Sequence, residues 1–218
     1  MFNRQKLFVL ITLLLFGCAN FDNAAIDTFK DAFHLNHKEL TPNFNPKFNY
    51  LSVHASSGLI FMVTTPPSHV TDLVTWYSAQ RDSLTLNQGR LANIYGTLTE
   101  WREVNLKEAP NWQRLLSSEQ PITWHRVRNQ LPGYLFNVHE TLNIFKTIPP
   151  SVIKLTYHQA NTLTWFQENN LTHPELGPSF YALSQHKHQY QVVFSQFCLA
   201  PNDCLTLEQV PNNKSGQE

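Results

Sequence analysis

The sequence predicts an all-β protein, a barrel-like coiled antiparallel sheet with one or two short helices. Three observations carry this expectation. Short apolar or alternating segments recur from Tyr50 onward, and turn-forming residues separate them. About ten such segments at this spacing suit a sandwich or barrel. No repeat period or low-complexity linker divides them, so a single β domain over residues 50–210 is expected.

The elements follow in order. Asp22 to Leu35 places Ile26, Phe29 and Phe33 three and four apart behind a capping Asp22, which predicts a short amphipathic helix. Leu40 to Asn49, rich in Asn, Pro and Phe, reads as an extended connector. After the turn at Ser56-Ser57-Gly58, Leu59 to Val63 is a continuous apolar run ended by Pro66-Pro67, the pattern of a buried strand. Val74 to Tyr77 and Ser83 to Leu86 form the next pair, Gly89 interrupts, and Arg90 to Tyr95 resumes. A period of two places Leu91, Asn93 and Tyr95 on one face of that strand and Arg90, Ala92 and Ile94 on the other. An interior Arg90 would need a partner, and an ion pair is expected.

Asn105 to Leu116 carries Leu106, Ala109, Trp112 and Leu116 at helical spacing, with Pro110 suited to a first turn or a kink. Glu100 and Glu103 flank Trp101 just before it, in a loop or helix end. Pro121 to Arg128, Gly133 to Glu140, Val152 to Tyr157, Thr162 to Gln167, Ser179 to Leu183 and Gln189 to Phe197 then read as strands. Residues 211–218 are polar and read as a disordered tail.

Composition narrows the function classes. Sixteen basic and sixteen acidic residues balance, leaving no broad footprint for phosphate backbones, so nucleic acid is not expected as a partner. Seven glycines, with neither GxGxxG nor GxxxxGK[ST], argue against nucleotide chemistry, and no cofactor is expected.

The first residues carry Arg4 and Lys6 and then an apolar run from Leu7 to Phe16, broken only by Thr12. These are the n- and h-regions of an export signal, and the run falls short of the roughly 20 residues needed to span a bilayer. Leu15-Phe16-Gly17-Cys18 resembles the bacterial lipobox, which implies cleavage after residue 17 and acylation of Cys18. Residues 18–49 are then the lipidated N-terminus with its helix and connector. Several acyl chains together hold a protein almost permanently at a membrane. Ala19 in place of Asp, by resemblance to the sorting rule of enteric bacteria, implies the outer membrane, with the domain facing the periplasm.

The other two cysteines, Cys198 and Cys204, flank Pro201-Asn202-Asp203 between two strand-like segments. In an exported chain this predicts a hairpin clipped by a disulfide. A metal site is the alternative reading, with His186 and His188 as the nearby ligands.

Chemistry-bearing residues are sparse. His34/His37 and His186/His188 lack the company of a zinc site, and GxSxG is absent. A polysaccharide-modifying enzyme would need two facing carboxylates from Asp72, Glu100, Glu103 and Glu140. A third class is a carrier enclosing an apolar ligand in a barrel. The five tryptophans, at 76, 101, 112, 124 and 165, could stack on sugars but more often fill cores.

The ordered features Cys18, the short aromatic helix, Leu59 to Val63, Trp76, Thr85-Leu86 and Gln88-Gly89-Arg90-Leu91, followed by Gly96, Phe180-Tyr181 and Ser195-Gln196, resemble the YjbF/GfcB family. These are outer-membrane lipoproteins associated with group 4 capsule and exopolysaccharide operons. The resemblance covers nearly the whole chain and implies an all-β barrel-like fold without established catalytic residues. It further implies a non-enzymatic accessory role in surface-polysaccharide production or export, with polysaccharide or export proteins as partners. Trp76, Gly89, Arg90 and Leu91 become candidate structural or binding residues.

Overall fold

Alternation along the chain is realised as a continuous meander. The computed structural model describes residues 44–65, 73–186 and 189–211. The first five strands are β1 (Asn49–Ala55), β2 (Gly58–Thr64), β3 (Leu73–Tyr77), β4 (Ser83–Asn87) and β5 (Arg90–Tyr95). They are followed by β6 (Glu100–Asn105), the helix α1 (Trp112–Ser117), β7 (Ile122–Leu131) and β8 (Leu135–Thr147). The last four are β9 (Thr164–Asn170), β10 (Ser179–His186), β11 (Gln189–Ala200) and β12 (Asp203–Val210).

All twelve strands belong to one sheet in the order β5-β4-β3-β2-β1-β12-β11-β10-β9-β8-β7-β6. Every registered neighbour is antiparallel, β12 pairs with β1, and β5 lies against β6, giving a nearly closed barrel. Connections after odd-numbered strands gather at one end, here the distal end. Connections after even-numbered strands, together with the start of β1 and the end of β12, gather at the proximal end. Two places in the wall are thinly joined: β2 meets β3 only at Val63↔Tyr77, and the β11–β12 register stops at Phe194↔Glu208 although β11 begins at Gln189.

Two clusters of side chains fill much of the interior. Leu51, Val53, Met62, Trp76, Leu84, Leu91, Ile94, Trp101, Leu199 and Leu205 form one buried cluster. Trp112, Leu115, Trp124, Leu142, Ile144, Phe166, Tyr181 and Leu183 form a second, under α1. On the outer face, Trp165, Ala182 and Phe194 are covered by Ile153, Leu155 and Leu163 of the long β8–β9 connection. Cys198 and Cys204 stand in register on β11 and β12 and are joined by a disulfide, with Asn202 at φ 66° in the turn between them.

Four expectations need correction. Val152 to Tyr157 is not a strand. Pro149 and Pro150 precede it, and the Glu208 carboxylate accepts the backbone N–H groups of Thr156, Tyr157 and His158 at 2.8, 2.7 and 3.1 Å, taking the place of a ladder. Glu100, Trp101 and Glu103 lie in β6, whose register shifts between Arg102 and Asn105, with Glu103 at φ 50°. Helical structure in the 105–116 stretch is confined to α1, which begins only after Pro110 and is capped by Asn111 Oδ1 accepting from Arg114 N at 2.8 Å. In β5 the register shifts opposite Thr85/Leu86, so Thr85 pairs with Asn93 and Leu86 with Leu91. Ala92 is therefore the extra residue of a bulge, and Leu91 and Ile94, expected on opposite faces, both enter the core. The helix predicted over Asp22 to Leu35 lies outside the described residues, as do Cys18, His34, His37, Asp72 and His188.

Candidate functional site

The Gln88-Gly89-Arg90-Leu91 block is where the proximal end is closed. Gln88 and Gly89 are the two-residue turn between Asn87 and its partner Arg90, and both have positive φ, 47° and 84°, as a type I′ turn requires. Gly89 is needed twice over, because a Cβ there would stand 2.6 Å from the Cβ of Val192 on β11. Two hydrogen bonds pin the turn: Trp112 Nε1 donates to the Gln88 carbonyl at 2.9 Å, and Ser195 Oγ to the Gly89 carbonyl at 2.8 Å. The β4–β5 turn is thereby held between α1 and β11.

Arg90 follows directly and is buried, 4% exposed. Its guanidinium donates to the Pro110 carbonyl at 2.9 Å and lies 3.9 Å from the centroid of Trp112, with Trp124 and Tyr181 at 5.9 Å. The expected ion pair is not formed: among the described residues no carboxylate lies within 4.0 Å of Arg90, and its Nε has no hydrogen-bond partner. Burial pulls the guanidinium below its ordinary pKa, while the nearby charge of Glu168 acts in the opposite sense. Glu168 itself accepts from Trp124 Nε1 at 3.0 Å and Tyr181 Oη at 3.3 Å. Burial first, then the Glu168 charge, pushes the Tyr181 hydroxyl well above the usual phenol range, so it stays a donor.

Further along the interior lies a second polar group that sequence reasoning missed. Glu140 on β8 accepts from Arg126 Nε at 2.6 Å, Arg128 Nε at 3.1 Å and Asn170 Nδ2 at 2.9 Å. Both guanidinium groups sit over Trp101, at 4.8 and 4.0 Å, and Trp101 Nε1 donates to the Leu199 carbonyl at 3.0 Å. Burial alone would raise the Glu140 carboxyl, but the two arginines overcome it and hold the group below the ordinary carboxylate range. The signal was present in the sequence: Arg126 and Arg128 share the parity of Trp124, and Glu140 that of Leu142 and Ile144. Charges of opposite sign thus occupy the apolar face of two consecutive strands.

The described carboxylates weighed for catalysis each have a partner of their own. Glu100 pairs with Arg102 at 2.6 Å, Glu103 accepts from Asn129 at 2.8 Å, and Glu140 is enclosed by its arginines. All five tryptophans are at most 6% exposed, Trp76 among them. Leu91 packs in the same cluster as Trp76. At the proximal end, where the β11–β12 register opens, a cavity of about 540 Å³ lies between α1, the β4–β5 turn and the wall formed by β1, β12 and β11.

The barrel is a known fold. It matches the crystal structure of the hypothetical lipoprotein YmcC from Escherichia coli K12 with a TM-score of 0.55, over 75% of this chain and 84% of that one, at 13% identity. No protein-family model and no curated protein matches the chain.

Proposed function

We propose that this protein is a lipid-anchored, non-enzymatic accessory factor in the production or export of a surface polysaccharide, held through Cys18 at the outer membrane with its barrel in the periplasm. The observation that carries the reading is the pairing of a lipobox cysteine with a twelve-stranded barrel of the fold seen in the hypothetical lipoprotein YmcC. The resemblance to the YjbF/GfcB family supplies the pathway. A non-enzymatic role is supported by the use made of the charged groups: Glu140 and Glu168 are each held by buried donors rather than facing a second carboxylate across a cleft. Protein partners are supported by the distal loops, where Leu98, Tyr134 and Phe136 stand 86, 75 and 63% exposed.

The test is deletion of the gene, with surface polysaccharide quantified against a strain complemented by the wild-type gene and one complemented by Cys18→Ala. The reading expects a loss on deletion, full rescue by the wild type, and no incorporation of labelled fatty acid into the Cys18→Ala protein. Unchanged polysaccharide on deletion overturns the pathway, and label retained on the variant overturns the anchor.

A further inference from the structure

The proximal cavity differs from the rest of the molecule in its chemistry. Of the described residues that line it, none is Asp, Glu, Lys, Arg or His, although 15% of the chain is charged. Six carry carboxamides instead: Gln88, Asn111, Gln113, Gln189, Gln191 and Gln209. Trp76, Trp112 and Tyr190 supply aromatic surface between them. Its volume of about 540 Å³ lies within the range of small-molecule sites, roughly 300–1,000 Å³.

A second observation points to a ligand. Trp76 is 4% exposed and lines this cavity, yet its buried Nε1 has no hydrogen-bond partner among the described residues. Buried indole N–H groups normally find an acceptor, and leaving one unpaired costs about 1–3 kcal/mol. Nε1 is closed to water-sized groups as the ring stands, so a ligand oxygen would reach it by turning the ring toward the cavity that it lines, a side-chain adjustment common on binding.

We infer that the proximal cavity binds an uncharged, hydroxyl-rich molecule with apolar ring faces, a neutral carbohydrate. Each carboxamide offers both a donor and an acceptor, the complement of a hydroxyl, and none offers net charge to an anionic group. A fatty acyl chain would bring no polar partner to the amide edges facing the cavity, and an acidic sugar would lose its carboxylate's hydration with no cation among the described lining residues to replace it. Gln191 and Gln209 mark the mouth: Gln191 Nε2 donates to Gln209 Oε1 at 2.7 Å across the gap where the β11–β12 register has opened. The choice of carbohydrate among hydroxyl-rich molecules rests on the proposed role in surface-polysaccharide production.

The test uses the full-length, natively exported protein in lipid nanodiscs, titrated with lactose, cellobiose, cellotetraose, digalacturonate and decanoate. Saturation-transfer NMR and tryptophan fluorescence read binding, with empty nanodiscs as the blank. At least one neutral sugar should bind saturably and at least tenfold more tightly than digalacturonate. Trp76→Phe keeps the ring but removes the unpaired donor, and Gln191→Leu/Gln209→Leu removes both members of the mouth pair. Each should weaken binding about tenfold, the scale of one net hydrogen bond, in protein that still melts in a single cooperative transition. Preference for digalacturonate, saturable occupancy by decanoate, no saturable sugar binding, or binding indifferent to both variants would overturn the site. The polysaccharide of the deletion strain separates the two claims. A phenotype without sugar binding removes the site and leaves the accessory role, whereas sugar binding without a phenotype removes the role and leaves the site.

Discussion

Two buried charged groups inside the same barrel are held in opposite ways. Glu140 has two arginines and an asparagine within hydrogen-bonding distance, so its charge is neutralised where it stands. Arg90 has a carbonyl oxygen and the face of Trp112, and the Glu168 carboxylate acts on it only through space. Among the described residues the interior therefore holds three buried arginines, Arg90, Arg126 and Arg128, against the two glutamates Glu140 and Glu168. Removing Glu140 increases an existing positive excess, whereas removing Arg90 abolishes it. The lesson is that burial of a charge alone does not measure what it contributes; the groups left behind when it is deleted do.

The largest effect is expected from Glu140→Gln. It leaves Arg126 and Arg128 buried without a counter-charge, a change that costs about 3–5 kcal/mol. Urea unfolding of the variant against the parent checks this, and a loss below about 1 kcal/mol would break the contrast.

The same residue sharpens the comparison through pH. The folded-state pKa of Glu140 is depressed, so its contribution is fully present above the unfolded carboxylate value of about 4.3 and is lost as pH falls through the lower folded value. Unfolding free energies measured from pH 7 down to pH 3 should therefore show the gap between parent and Glu140→Gln narrowing toward the acid end. The Arg90 guanidinium does not itself titrate in that window, so the offset of an Arg90 variant from the parent should change with pH less than that of Glu140→Gln.

A smaller loss is expected from Arg90→Met, which keeps an apolar stem under Trp112. The groups left behind are the Pro110 carbonyl and Glu168, and Glu168 retains its donors from Trp124 and Tyr181. One unpaired buried acceptor costs about 1–3 kcal/mol, partly offset by no longer desolvating a guanidinium. Thermal melts and urea titrations of the two variants side by side give the ranking.

Much of this architecture was legible from period and punctuation. Leu59 to Val63, the Gly89 break and the Cys198/Cys204 hairpin are set by local rules and form where those rules place them, although only Met62 and Val63 of the first are buried and Leu59 is exposed. What was not legible depended on partners far away in sequence. Val152 to Tyr157 has the composition of a strand, but Ile153 N donates to the Pro150 carbonyl in a turn, and the N–H groups of Thr156 and Tyr157 go to Glu208, some fifty residues on. β6 was hidden because a bulge at Arg102 to Asn105 destroys the alternation that would have revealed it. The interior polar groups were hidden for a related reason: inward positions were sought as apolar, whereas Arg126, Arg128 and Glu140 occupy them and satisfy one another across the β7–β8 pair. The amide-lined cavity required the three-dimensional convergence of α1, the β4–β5 turn and β11, which no local window contains.

The central claim is that the charged groups inside the barrel maintain the fold and do not act on a substrate. Surface polysaccharide in the deletion strain complemented with Arg90→Met, at protein abundance matched to wild type, tests it most directly. The account predicts output restored to the wild-type level, because a folded barrel with an intact anchor and proximal cavity is all that Arg90 serves. A folded, normally abundant and acylated Arg90→Met protein that fails to restore the polysaccharide would contradict it and assign the guanidinium a direct part in function.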